Sequence, residues 1–201
     1  MMRALALPNG RVSGRGLVIL LLAALCVAGI VRIAAGAIVP AKAVVAQILL
    51  ERAFDRSVER HQPQKPWGWA DMAPVARIRV ARLGVDRIVL DSGSGQAMAF
   101  GPTLLPGGAA LGQPGVTVIA AHRDTHFRFL KHVRAGDIIE VEGIDGRDHR
   151  YRVQAGEVVR WDRFAVSQDL AENELALSTC YPFDAVRHGP LRYVVHATPI
   201  A

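Results

Sequence analysis

From Leu17 to Val31 no side chain is charged or strongly polar, and after Arg32 the apolar run resumes as far as Val39. Few soluble folds accommodate such a stretch. As a helix rising about 1.5 Å per residue, residues 17–39 reach roughly 35 Å. The hydrocarbon core of a bilayer is about 30 Å thick. Arg32, near the end of the run, has a stem long enough to carry its charge toward the far headgroups. A transmembrane signal-anchor helix is therefore expected at 17–39, behind a short N-terminal segment, 1–16. The competing reading is a cleaved secretory signal. Arg3, Arg11 and Arg15 would form its basic start, 17–31 its apolar centre and Ala35-Gly36-Ala37 its small-residue site. Either route delivers the rest of the chain across a membrane, since a long C-terminal domain translocates largely regardless of flanking charges.

Two cysteines are present, and Cys26 falls inside the apolar run. The exported part therefore holds only Cys180 and has no internal disulfide to offer. A solitary thiol in an oxidising compartment is a liability unless it is used. The net charge of +6 raises the question of nucleic acid. Its basic residues are mostly Arg scattered along the chain, with no aromatic-interleaved basic block and no zinc-finger spacing. Nucleic-acid binding is not expected.

Residues 40–73 read as a helical spacer and linker. Val44, Val45, Ile48, Leu49 and Ala53 lie along one side of a helix at 41–60, and Leu50, Phe54 and Val58 form a second stripe. A Pro-containing loop, residues 61–66, ends it. From Pro74 the texture becomes short β runs separated by turn signals. Strands are expected at 75–80, 86–90, 116–121, 137–141, 149–154, 157–161, 174–179 and 191–197, with short helices at 96–100 and 124–133. Residues 101–115, rich in Gly and Pro, read as a long irregular connection. Many short strands with few helices in 74–201 mean a mainly β domain, a barrel or a sandwich.

Three residues stand apart within it. His122 ends the apolar strand 116–121, Cys180 ends the strand 174–179, and Arg192 sits near the start of the strand 191–197. Strand ends are where loops display side chains on a rigid scaffold. A cysteine there is often only a small buried hydrophobe, and a lone histidine is usually structural.

These residues also carry a resemblance. Leu177-Ser178-Thr179-Cys180 is similar to the TLxTC signature of sortases, and Arg192 follows close to where their essential arginine falls. Ile119-Ala120-Ala121-His122 resembles the strand leading to the sortase histidine, although many sortases have glycine where this chain has Ala121. The run from His122 to Leu130, Trp67-Gly68-Trp69-Ala70-Asp71, Ala99-Phe100-Gly101-Pro102 and Cys180-Tyr181-Pro182-Phe183-Asp184 resemble the sortase class of Gram-negative bacteria. So does Pro190-Leu191-Arg192-Tyr193-Val194-Val195. The likeness covers about residues 40–200. It implies a closed sortase-like β-barrel of about eight strands, inner-membrane anchoring with the catalytic domain on the periplasmic side, and a substrate that is an exported protein bearing a C-terminal LPxTG-like sorting motif. The acceptor would be an amine, with neither cofactor nor metal.

In that reading Cys180 attacks a peptide carbonyl once ionised, and His122 protonates the departing amine and later deprotonates the acceptor. Arg192 stabilises the oxyanion or holds the substrate backbone. Thr179 and Ala121 are candidate substrate contacts, and Asp124 a candidate orienter of His122. Arg187, in the loop 184–189, is the rival cation. His196 shares a face with Arg192 but lies roughly 13 Å along the strand. Three other functions compete: a cysteine protease that hydrolyses the same thioester, a non-enzymatic membrane-tethered binding module, and a metal site built on His122, Asp124 and His126.

Overall fold

The computed structural model describes residues 14–163, 173–187 and 189–200, with the backbone alone at 37–41. Arg3 and Arg11 lie outside the described residues. The chain divides into two compact units, Met1–Val44 and Val45–Ala201. Helix α1, Gly14–Arg60, supplies all that is described of the first. Its segment Gly14–Gly36 has a mean hydropathy of 2.8 and no buried residue, long and apolar enough to cross a membrane.

In the second unit eight strands close into a barrel: β1 (Pro74–Val80), β2 (Val85–Leu90), β3 (Thr103–Leu104), β4 (Gly115–Ala120), β5 (Ile138–Gly143), β6 (Asp148–Arg160), β7 (Asn173–Tyr181) and β8 (Leu191–Pro199). Their order around it is β1-β2-β3-β4-β7-β8-β6-β5. Closure leaves no unpaired sheet edge, and it decides between the barrel and the sandwich. Two expected strands, 149–154 and 157–161, are one: β6 runs through both, with a register shift against β8 between Val153 and Ala155. A bulge re-aims the strand without ending it. The connection after Gly101 contains β3, two residues that pair parallel to β2 and antiparallel to β4. Gly101 permits the approach, because a Cβ there would lie 2.7 Å from the Ile88 carbonyl oxygen.

Alternation along the strands sorts two cores. Inside the barrel, Ile78, Val80, Ile119, Ala121, Ile139, Val141, Tyr151, Leu175, Leu177 and Val195 form the main cluster with Phe127 and Leu130. Each large apolar side chain so buried contributes about 1.5–3 kcal/mol. The Tyr151 hydroxyl is satisfied there by donating to Asn173 Oδ1 at 2.9 Å. Outside, Val116, Val118, Ala176 and Val194 make a smaller cluster. The helical residues 45–60 bury Leu50, Phe54 and, partly, Val58 against Ile88, Leu90, Trp67 and Phe100. This is the second of the two expected stripes. Of the first, Val44, Val45 and Ile48 stay exposed.

The segment between β4 and β5 is a 3-10 turn at Arg128–His132, where a longer helix was expected. A fork of bonds fixes it. Arg82 donates from Nε and Nη2 to the two Asp137 oxygens, both at 2.6 Å, and from Nη2 to the His132 carbonyl. The Arg134 amide donates to the same carboxylate at 2.8 Å. Bonded so by Arg82, the Asp137 carboxyl is held below the ordinary carboxylate range. The unfolded chain then takes up this proton at higher pH than the folded one. The stabilisation is complete above the ordinary value of about 4 and is lost as pH falls through the lower folded value. Asp137→Asn should therefore lower Tm by a few degrees at pH 7, and thermal scans should show the gap from the parent closing toward pH 3. An equal gap at both pH values would contradict this role.

Candidate active site

β4 and β7 pair in parallel, with Ala120 opposite Ser178. Parallel neighbours end at the same rim, so the residues two steps further on, His122 and Cys180, emerge side by side. β8 lies antiparallel on the other side of β7 and places Arg192 opposite Cys180. Directly opposed side chains have Cβ atoms about 5 Å apart. Alternation puts Cys180 on the outer face with Ala176, away from Leu175 and Leu177 in the lumen. Arg192 shares that outer face with Val194. Three distant stretches of sequence thus converge at one rim.

His122 and Cys180 line one cleft of about 640 Å³, bounded by Ala99 on one side and by Phe183, Asp184, Ala185 and Val186 on the other. Both are half-buried. Arg192 does not line it; the half-buried guanidinium donates from Nη1 to the carbonyls of Gly189 and Leu191, at 3.0 and 2.9 Å. Those two bonds hold it beside the site, at the foot of the loop that follows β7.

The other candidates separate. Thr179 and Ala121 are 2% and 5% exposed and face the lumen, not the cleft. The Thr179 hydroxyl donates to the Ala121 carbonyl at 2.7 Å, and the Ala121 amide donates to the Ser178 carbonyl at 3.2 Å. They fasten the β4 end to β7, immediately before His122. The methyl of Ala121 belongs to the main core, so the replacement of the glycine common in sortases does not fill the cleft. Asp124 lines the cleft and is exposed, with no hydrogen bond to His122. The Arg187 side chain is exposed. His196 is engaged elsewhere, with Glu174 at 2.6 Å and Glu157 at 3.1 Å. Among the described residues no three His, Cys, Asp or Glu side chains gather as a metal site would require.

His126 is half-buried. Burial first, with Arg87 and His122 nearby, pushes its pKa below the ordinary histidine value despite a bond to the Ala99 backbone. The residue that sequence reasoning passed over is Arg123. It is buried, lines the cleft, and donates from Nη2 to the carbonyls of Ala185 and Arg187. Its only signal was its place directly after His122, where it read as one charge in a polar segment.

The family model for the sortase domain matches residues 78–200. Sortase D of Bacillus subtilis (strain 168) is 31% identical over 83 residues, which is 41% of this chain and 41% of that protein. The match thus spans less than half the length of the curated relative. A Sortase D5 transpeptidase of Clostridium perfringens superposes with a TM-score of 0.62 at 18% identity, covering 79% of this chain and 99% of that one. Sortase A from Corynebacterium diphtheriae gives 0.60 at 24% identity, covering 66% and 63%. At these identities the two structures speak for a common fold.

The Thr179–Ala121 bond is testable alone. Thr179→Val leaves a buried carbonyl without its donor and should cost about 1–3 kcal/mol in denaturant unfolding. Thr179→Ser, which keeps the hydroxyl, should cost less than half as much. Equal losses would assign the effect to packing.

Proposed function

Because this chain belongs to the sortase family, we propose that it is a membrane-anchored cysteine transpeptidase of the class that Gram-negative bacteria encode. Its substrate is an exported protein with a C-terminal LPxTG-like sorting motif. The apolar segment of α1 holds it in the inner membrane in a single pass, with the barrel on the periplasmic side. The observation that carries the reading is the single cleft shared by Cys180 and His122, with Arg192 opposite Cys180 across the β7–β8 ladder.

The chemistry follows from the groups. The Cys180 thiolate attacks the carbonyl carbon of the scissile peptide bond, and the π electrons move to the oxygen. Arg192, permanently charged and a forked donor, stabilises that oxyanion; its bonds to Gly189 and Leu191 tie down one arm of the fork, Nη1. Collapse of the tetrahedral species expels the amine, which takes its proton from the His122 imidazolium. A thioester to Cys180 remains. The acceptor amine, deprotonated by His122, attacks it and restores the thiolate. Water in place of the amine would give hydrolysis, so the cleft decides the outcome by what it admits. No step calls on a metal or cofactor.

Alanine variants assayed on a sorting-motif peptide with an amine acceptor test the assignment. Cys180→Ala and His122→Ala should each lose at least about a thousandfold in transfer. Arg192→Ala should lose about 10²–10³-fold, as removal of an oxyanion donor does. Arg187→Ala, a surface change, should stay within about twofold. Full transfer by Cys180→Ala would exclude the mechanism, and a larger loss at Arg187 than at Arg192 would reassign the cation.

A further inference from the structure

The loop that leaves β7 is held at two places. At its base the rings of Tyr181, Phe183 and Tyr193 pack together, with centroids 5.3–6.3 Å apart. At its tip a single nitrogen, Arg123 Nη2, donates to the carbonyls of Ala185 and Arg187, the second at 3.2 Å. Arg123 is 8% exposed, and its Nη1 is buried with no acceptor. Among the described residues no carboxylate pairs with it. A buried cation that meets only carbonyls is costly, a large outlay for closing a surface loop. What it secures is the residue between the two pinned carbonyls. Val186 is 99% exposed and lines the cleft that holds His122 and Cys180. An apolar side chain fixed on both flanks and left wholly in water gains only when a ligand covers it.

We propose that Arg123 is a positioning residue that pins the main chain on either side of Val186, so that Val186 stands as a fixed apolar wall against which an apolar side chain of the bound polypeptide packs. The identity of that polypeptide rests on the sortase reading; the pinning does not. Removing the pin should loosen the loop and weaken substrate binding while leaving the thiol as it was. Removing the Val186 side chain should weaken binding and leave the loop rigid.

The full chain in detergent micelles, as Arg123→Met and Val186→Ser, separates these effects. In Arg123→Met the backbone order parameters at 185–187 should fall from about 0.85 to below about 0.6, with β7 unchanged. Alkylation of Cys180 by iodoacetamide should stay within twofold of the parent rate. Both variants should raise KM for an LPxTG peptide roughly tenfold with kcat within about threefold. Val186→Ser should keep the parent's Tm and order parameters. Unchanged order parameters in Arg123→Met would overturn the pin. Alkylation falling in step with kcat/KM would show that Arg123 supports the nucleophile instead. An unchanged KM in Val186→Ser would overturn the wall, and this variant alone decides if Arg123→Met does not fold. If the parent does not process the peptide, the LPxTG substrate reading fails, and the order parameters still judge the pin.

Discussion

The site depends on one pairing, the parallel ladder between β4 and β7. In an antiparallel pair the chain ends of two strands lie at opposite rims. Here both strands run the same way, so their C-terminal ends share a rim, and the register that sets Ala120 beside Ser178 sets His122 beside Cys180. A slip of one residue would turn either side chain into the lumen. The lumen resists such a slip, because Ile119 and Ala121 would have to leave it if β4 moved, or Leu175 and Leu177 if β7 did. The energy that keeps the barrel filled is thus the energy that keeps His122 and Cys180 on one cleft. The Thr179–Ala121 bond adds a local lock at the last step before the site opens.

β8 contributes a second constraint. Its antiparallel register with β7 brings Arg192 opposite Cys180, and the carbonyls of Gly189 and Leu191 take up one of its nitrogens. The β7–β8 loop therefore follows Cys180 at one end and leads into Arg192 at the other. Any residue that shapes this loop shapes the cleft wall between them.

Much of this was legible in the sequence for a physical reason. Strand ends beside polar segments are easy to see, and His122, Cys180 and Arg192 stand out as candidates for that reason. The continuous apolar run 116–121 is consistent with a buried strand, as β4 is. Other features were illegible because they depend on tertiary contacts. β3 is two residues long, too short for a period to register. The β6 bulge at Val153–Ala155 interrupted the alternation, and one strand read as two. Both stripes of the helix at 41–60 were apolar, and only the presence of Ile88, Leu90 and Phe100 buries Leu50 and Phe54 while Val45 and Ile48 of the first stripe stay exposed. Thr179 and Ala121 stood next to the site in sequence, yet period-two alternation turns them to the opposite face. Arg123 carried no signal beyond its place after His122; only the folded loop offers it two carbonyls.

Covalent capture is the most direct measurement of the central claim. The full chain, incubated with a sorting-motif peptide in the absence of an acceptor amine and quenched in acid, should gain the mass of the N-terminal peptide fragment. Digestion should locate that mass on Cys180, and hydroxylamine should remove it. Cleavage of the peptide with no such adduct, or with the adduct on any other residue, would contradict the account.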